Sequence, residues 1–261
     1  MSTLYTEGMK IEELTNYLKE RLALEKFVDI DSSLNGLQVG RPGKEVNKLA
    51  VAVDASLATF KRAAELKCDA IFVHHGLFWG KPIAITDYHY ERVATLLSHD
   101  IALLAAHLPL DVHPELGNNA TMARLLGLTA IEPFGYYHGI PIGYQGRLEK
   151  AMSAQEIAAK LKLSEDSGLK ILDFGKSEIS TLAIVSGGAP DSLLEAIELD
   201  LDAFLTGESS HTMYAYCQEA HKTMISGGHY ATEVFGVKAV CEELAAKFSL
   251  ETTFIELPTA L

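Results

Sequence analysis

Apolar positions along this chain follow two rhythms. Residues 11, 14, 17, 18, 22 and 24 recur at helical spacing among charged positions, which predicts a helix over Ile11 to Phe27. A polar, Gly-containing loop is expected at Asp31 to Gly40. Short apolar runs then alternate with amphipathic stretches. Strands are expected at Leu49–Val53, Ala70–Val73 and Ile101–Ala106, and helices at Leu57–Lys67, Tyr88–Leu97 and Ala120–Leu126. From Gly135 to about Ser180 the rhythm breaks into Gly, Tyr and Pro, one helix (Ala154–Leu161) and short strand candidates. It resumes with strands at Leu182–Val185, Ala203–Leu205, Thr223–Ile225 and Thr252–Leu257, and helices at Ser192–Leu199, Tyr214–Ala220 and Ala231–Lys247. Apolar strands separated by helical stretches predict parallel βαβ units with helices on both faces. The expectation is an α/β fold of two similar halves, residues 1–134 and 181–261, with 135–180 as a linker or small elaboration. The halves should pack as one two-lobed unit. The first carries the strand-then-turn segments AVAVDAS, AIFVHHG and LLAAHLPLD; the second carries LAIVSGGAP, AFLTGES and TMISGGHYATE. That recurrence is the pattern of a duplication.

Composition narrows the function. Of the 261 residues 48 % are apolar, enough for a sizeable core, and 22 Lys and Arg against 35 Asp and Glu give a net charge of −13. Such a balance argues against nucleic-acid binding by phosphate neutralisation, although a bound cation can reverse the field locally. Cys68, Cys217 and Cys241 share no metal-site spacing and are read as packed, reduced thiols. Met1 to Lys10 carries Glu7 and no apolar core, so no signal peptide is expected, and no apolar run is long enough for a membrane span. A cytoplasmic protein is expected.

In open parallel sheets ligands gather at the carboxyl ends of strands, and here those ends carry metal-binding side chains. The strand Ala70–Val73 runs into His74 and His75, and Ile101–Ala106 runs into His107, with Asp111 four residues on. The strand ending at Ile225 leads to His229 and Glu233, whose i, i+4 spacing stacks them on one helix face. Adjacent histidines on an extended segment point to opposite sides, so His74 and His75 can each hold a different ion of a close pair. Glu233 can bridge the two ions while His229 binds one. Mixed imidazole and carboxylate ligands suit Zn, Fe, Mn or Ni without selecting among them. Taken singly, a strand-end histidine is more often a satisfied polar group than a ligand; three strand ends bearing His-His, His-x-x-x-Asp and His-x-x-x-Glu argue for a two-ion centre between the halves.

Other features have structural as well as functional readings. Gly187 and Gly188, ahead of a helix, can present amides to an anion, or simply form a tight turn with Asp191 as the cap. Glu208 can act as a base or orient a ligand, and His211 can carry a proton or merely open a helix. Leu77, Phe78 and Trp79 can stack a flat base or form an apolar lid over the histidines. His89, His99, His113, His138 and His221 are read as surface or capping residues.

Five segments, SLNGLQVG (Ser33–Gly40), DAIFVHHGLFW (Asp69–Trp79), AAHLPLDVHPELGNNA (Ala105–Ala120), DAFLTGE (Asp202–Glu208) and GGHYATE (Gly227–Glu233), resemble the dinuclear metal-binding family named after NGG-one-interacting factor three. Its bacterial members are labelled GTP cyclohydrolase I type 2 homologues. The resemblance covers nearly the whole chain, and the short 135–180 stretch resembles the compact form of the family. It implies His74 and His75 as ligands of separate metals, Asp111 and His229 as further ligands, and Glu233 as the bridge. His107 matches a position of less uniform role, either ligand or outer-shell donor, and the family varies at His211. The resemblance also implies a toroidal homohexamer with metal sites facing an inner cavity, and a GTP cyclohydrolase-like activity. The expected function is metal-dependent hydrolysis of a small anionic, nucleotide-like substrate. The alternatives are a non-catalytic metal-dependent binding or chaperone protein, and a ring-shaped scaffold for DNA or protein partners.

Overall fold

The computed structural model describes residues 8–248 and 250–261; Met1 to Glu7, most of the stretch read for a signal peptide, lie outside the described residues. The chain divides into two compact units, residues 8–110 with Val237–Leu257, and Asp111–Gly236 with Pro258–Leu261. The first begins with β1 (Met9–Lys10), α1 (Ile11–Arg21), β2 (Gly36–Val39), β3 (Glu45–Val46) and β4 (Lys48–Asp54). It continues with α2 (Leu57–Glu65), β5 (Ala70–His75), α3 (Asp87–Ser98) and β6 (Ala102–Ala105). After the single turn α4 (Leu108–Asp111) come α5 (Asn118–Leu126), β7 (Leu128–Tyr137), β8 (Ile140–Met152), α6 (Ala154–Lys160) and β9 (Lys170–Asp173). Then follow β10 (Ile179–Val185), α7 (Leu193–Glu198), β11 (Ala203–Thr206), α8 (Met213–Ala220) and β12 (Thr223–Ser226). Helix α9 (His229–Phe248) starts in the second unit and continues in the first, which β13 (Glu251–Phe254) completes.

In the first unit the described strands form a sheet in the order β13-β4-β5-β6-β2, parallel throughout except for β2, which runs antiparallel to β6. Leu49 to Val53 of β4 are at most 3 % exposed, as continuous apolar strands covered on both faces must be. Ala50, Ala52, Ile71, Val73, Leu103 and Ala105 form one core cluster with Phe60 and Ala63 of α2 and Leu96 of α3. Ser56 starts α2 by accepting from the Thr59 amide at 3.1 Å.

The second unit's sheet has the order β7-β8-β10-β11-β12-β9, with a parallel centre (β10, β11, β12) and antiparallel flanks. Side-chain alternation divides its centre between two cores. Leu182, Ile184, Ala203, Leu205 and Ile225 pack with α5 and α6, whereas Ala183, Val185, Phe204 and Met224 pack with α7 and α8. Ser153 and Glu156 cap α6 reciprocally.

Both β4-α2-β5-α3-β6 and β10-α7-β11-α8-β12 are therefore parallel βαβ runs, but the sheets are mixed. The helix expected over Ile11 to Phe27 stops at Arg21, where Ala23 turns left-handed (φ 50°), and a separate 3-10 turn holds Leu24–Phe27. Part of the expected 31–40 loop is the edge strand β2, because the Leu37 backbone continues the β6 ladder. The stretch 135–180, expected as a linker or small elaboration, supplies the rest of β7, then β8, α6 and β9, and so is integral to the second sheet. The closing strand joins the first unit rather than the second, by pairing with β4. Cys68 and Cys217 are buried. No helix among the described residues is long and apolar enough to cross a membrane.

Candidate metal centre

In the first unit three histidines meet at the carboxyl ends of β5 and β6. His74 is fully buried, and its Nδ1 lies 3.0 Å from the Ala106 carbonyl oxygen just past β6. His75 leans the other way, its Nδ1 2.8 Å from Asp54 Oδ1 at the end of β4. His107 places Nδ1 2.9 Å from Asp31 Oδ1. Carbonyl and carboxylate oxygens only accept, so each Nδ1 carries a proton. One ring nitrogen of each of the three lies within 4.8 Å of those of the other two. Strict strand alternation would separate the rings of His74 and His75, yet at the end of β5 their centroids are 4.6 Å apart.

Asp31 is the anchor of this group. Its buried carboxylate accepts from His107 Nδ1 and the Ser33 amide at Oδ1, and from Asn35 Nδ2 (2.8 Å) and the Leu108 amide (3.0 Å) at Oδ2. Asn35 Oδ1 in turn accepts from the His107 amide at 2.8 Å. Burial alone would push the Asp31 carboxyl up, but the His107, Asn35 and Ser33 donors outweigh it and hold its pKa below the usual value. Neither Asp31 nor Asp54 is evident from sequence, since their histidines lie 76 and 21 positions away. The Asn35 side chain thus fixes the segment that carries His107.

In the second unit Asp111 Oδ1 accepts from Asn118 Nδ2 and Ser186 Oγ, both at 2.9 Å. The fully buried Asn118 and Asn119 brace this corner. Asn118 Oδ1 accepts from the Gly236 amide at 2.6 Å, and Asn119 Oδ1 from the Ser186 amide at 2.7 Å. The adjacent asparagines of GNNA were a signal that the sequence reading passed over. At the start of α9, His229 Nδ1 lies 2.5 Å from Glu208 Oε1, and its Nε2 lies 3.2 Å from Oε1 of Glu233, which is 3 % exposed. Glu208 thus orients His229 as Asp54 orients His75. Burial lowers the His229 pKa, but Glu233 and Glu208 outweigh it and raise it to about 9.

Gly187 has a role other than anion binding. Its amide donates to Thr232 Oγ1 at 3.0 Å, and its φ is +67°. A Cβ there would run into Glu233 Oε1 and come within 3.3 Å of His229 Nε2. A Cβ on Gly188 would make ordinary contact with Glu208 and His229 at 3.6 Å. The glycines are thus the floor against which the His229–Glu233 pair packs. Asp191 lies inside a 3-10 turn, Pro190–Ser192, rather than at a cap. His211 stands exposed just ahead of α8. His113, expected at the surface or as a cap, is buried and caps its own loop, its Nδ1 accepting from the Leu116 amide at 3.0 Å.

Four histidines from three strand ends therefore share one device, an Nδ1–H held by oxygen. That is the arrangement in which imidazole binds a metal through Nε2, and the carboxylates of Asp111 and Glu233 add hard oxygen donors. The residues present fit divalent metal binding.

The chain is 42 % identical to the GTP cyclohydrolase 1 type 2 homolog of Pyrococcus abyssi, covering 97 % of this chain and all of the relative. It is 38 % identical to that of Treponema pallidum, with the same coverage. The crystal structure of TTHA1606 from Thermus thermophilus superimposes with a TM-score of 0.86 at 38 % identity, over 97 % of this chain and all of that one. Residues 9–260 match the model of the Duf34/NIF3 (NGG1p interacting factor 3) family, and the chain belongs to that family.

Proposed function

We propose that His74, His75, Asp111, His229 and Glu233, with His107 as ligand or outer donor, together hold two divalent ions, and that the protein hydrolyses a small anionic substrate. The observation that carries this reading is the uniform Nδ1 anchoring of His74, His75, His107 and His229 by oxygen, which leaves Nε2 as the ring atom each would offer a metal. Glu233, with its Oε1 already beside the His229 imidazole, is the proposed bridge. Zn, Fe, Mn and Ni all suit this donor set.

When bound, a pair of such ions supplies Lewis acidity and lowers the pKa of water. The chain's own residues do the rest. Asp31, Asp54 and Glu208 fix the orientation of the His107, His75 and His229 imidazoles. Asn118 and Ser186 hold the Asp111 carboxylate in one orientation. Glu208, half-exposed at its side chain, holds the His229 Nδ1 proton and is itself a candidate proton acceptor at the rim of the centre. A cationic centre in a chain of net charge −13 favours an anionic group locally, and a nucleotide fits that requirement. The relatives' name, GTP cyclohydrolase 1 type 2 homolog, makes GTP ring opening the first candidate reaction. We also propose the two related α/β halves, the toroidal homohexamer and a cytoplasmic location as the setting of this centre.

The test is elemental analysis of gently purified protein, followed by an activity screen over nucleotides, phosphate esters and amides with each candidate metal loaded. About two ions per chain are expected, with a product that disappears in His75→Ala and Glu233→Ala. Protein without bound metal would overturn the metal reading. Stoichiometric metal with no product from any loaded form would leave a binding protein instead of a hydrolase.

A further inference from the structure

Trp79 is the chain's single tryptophan, and it is neither a core residue nor a loose surface one. It is 36 % exposed, with its ring centroid 4.9 Å from that of His107 in an edge-on arrangement and 6.0 Å from that of His75. The indole N–H donates to the Gly76 carbonyl at 2.9 Å, which closes the turn that follows β5.

That turn is built from outside as well. Gln38 on β2 accepts from the Leu77 amide through Oε1 and donates to the Leu34 carbonyl through Nε2, both at 2.7 Å. The Leu34 amide donates to the Phe78 carbonyl at 2.9 Å. A Cβ on Gly76 would strike the Gln38 amide, so only glycine lets the turn sit this close to β2. A large aromatic ring is thus locked in place beside two of the proposed ligands while about a third of the residue stays open. Packing alone gives no reason to leave so much indole exposed and to fix it at both the ring nitrogen and the turn.

We propose that Trp79 is a specificity-determining wall of the centre, on which a planar heteroaromatic group stacks while the ligand's anionic end faces the metal-binding histidines. This rests on the metal reading above and names the substrate class for it. Stacking on an aromatic side chain is tolerant of which base is present, so discrimination should be between ligands with and without a ring.

The test uses full-length protein loaded with zinc, which is redox-silent, and follows the emission of this lone tryptophan. The probes are AMP, GMP and UMP, with ribose 5-phosphate as the ring-free control, and affinities are measured in parallel by calorimetry. We expect at least one nucleotide to quench the emission saturably and ribose 5-phosphate to leave it unchanged. Trp79→Ala should weaken that nucleotide roughly 5- to 150-fold, and Trp79→Phe should recover most of the loss, with zinc content unchanged in both. Equal affinity in Trp79→Ala, equal quenching by ribose 5-phosphate, or no nucleotide binding by zinc-loaded protein would overturn the proposal and leave the metal reading standing. Failure of the wild-type protein to hold zinc would overturn the metal reading instead.

Discussion

Replacing Asp31 by Asn separates two roles that the histidine anchors combine. The Asp31 carboxylate accepts two hydrogen bonds at each oxygen, from Ser33 and His107 on one side and Asn35 and Leu108 on the other. Whichever way an asparagine amide is turned, its NH2 faces two N–H donors in a pocket where the native side chain is 1 % exposed. Two charge-assisted bonds, each worth about 1.5–3 kcal/mol, are lost, so the variant should be destabilised by about 3–6 kcal/mol. That is a large fraction of the roughly 5–15 kcal/mol of a typical domain. Asp54→Asn is the control. Asp54 is 40 % exposed at its side chain, and an amide oxygen can still accept from His75 Nδ1, so little stability should be lost. Weakening an orienting carboxylate nevertheless costs metal affinity, typically about 10- to 100-fold. Urea denaturation of metal-stripped protein measures the first effect and chelator competition the second. Metal-stripped Asp31→Asn that unfolds at the wild-type midpoint would refute the four-bond accounting. Unchanged zinc affinity in Asp54→Asn would refute the orienting role.

Three further outcomes are expected. Gly187→Ala combines a left-handed backbone with a Cβ against Glu233, so it should lose stability by about 1 kcal/mol or more and hold less metal by elemental analysis. Asp202 accepts from Lys176 (2.6 Å) and the Ser180 and Thr181 amides; burial opposes its charge, but these donors outweigh that and lower its pKa. Its folded pKa lies below its unfolded one, so its stabilisation is full above about pH 4 and disappears as pH falls through the folded value. The stability gap between wild type and Asp202→Asn in urea titrations should therefore be present at pH 7 and close in acid. Chelation should lower the unfolding midpoint of wild type, a loss of about 2.7 kcal/mol in stability if the free ion had stood at 100 times its dissociation constant, and leave that of His75→Ala unmoved.

What the sequence made legible was set by where burial dictates residue type. Strands covered on both faces, such as Leu49–Val53 and Leu182–Val185, announce themselves as unbroken apolar runs. β7 and β8 do not: Thr129 to Pro133 and Tyr136 to Tyr137 are exposed, so one long hairpin read as a broken linker. The candidate ligands were legible because histidine and acid at a strand end are unusual in themselves. Their anchors were not, because Asp31, Asp54 and Asn118 resemble any loop or strand-end polar residue until the chain returns to them. Gly187 and Gly188 read as a tight turn or an anion cradle, since backbone amides are implicit in every glycine pair; the partner of the Gly187 amide, Thr232, lies 45 positions on.

The two parallel runs are locked by the same means at their amino ends. Asp69, just before β5, accepts from the Asn47 and Lys48 amides at 2.9 and 3.0 Å. Asp202, just before β11, accepts from the Ser180 and Thr181 amides at 2.9 and 3.0 Å. The carbonyl of Asp69 receives the Ala102 amide, and that of Asp202 the Thr223 amide, so each aspartate ties three strands at their starts. The registers correspond as well, with Leu49 opposite Ala70 and Leu182 opposite Ala203. This recurrence supports reading the units as related halves. At the opposite ends they diverge: β5 runs into a histidine pair, whereas β11 is followed by Gly207 and Glu208, the latter orienting a histidine on α9. A lock at the amino end fixes the strands without constraining what their carboxyl ends carry. One frame can then carry the cluster of His74, His75 and His107 in one unit and Asp111, His229 and Glu233 in the other.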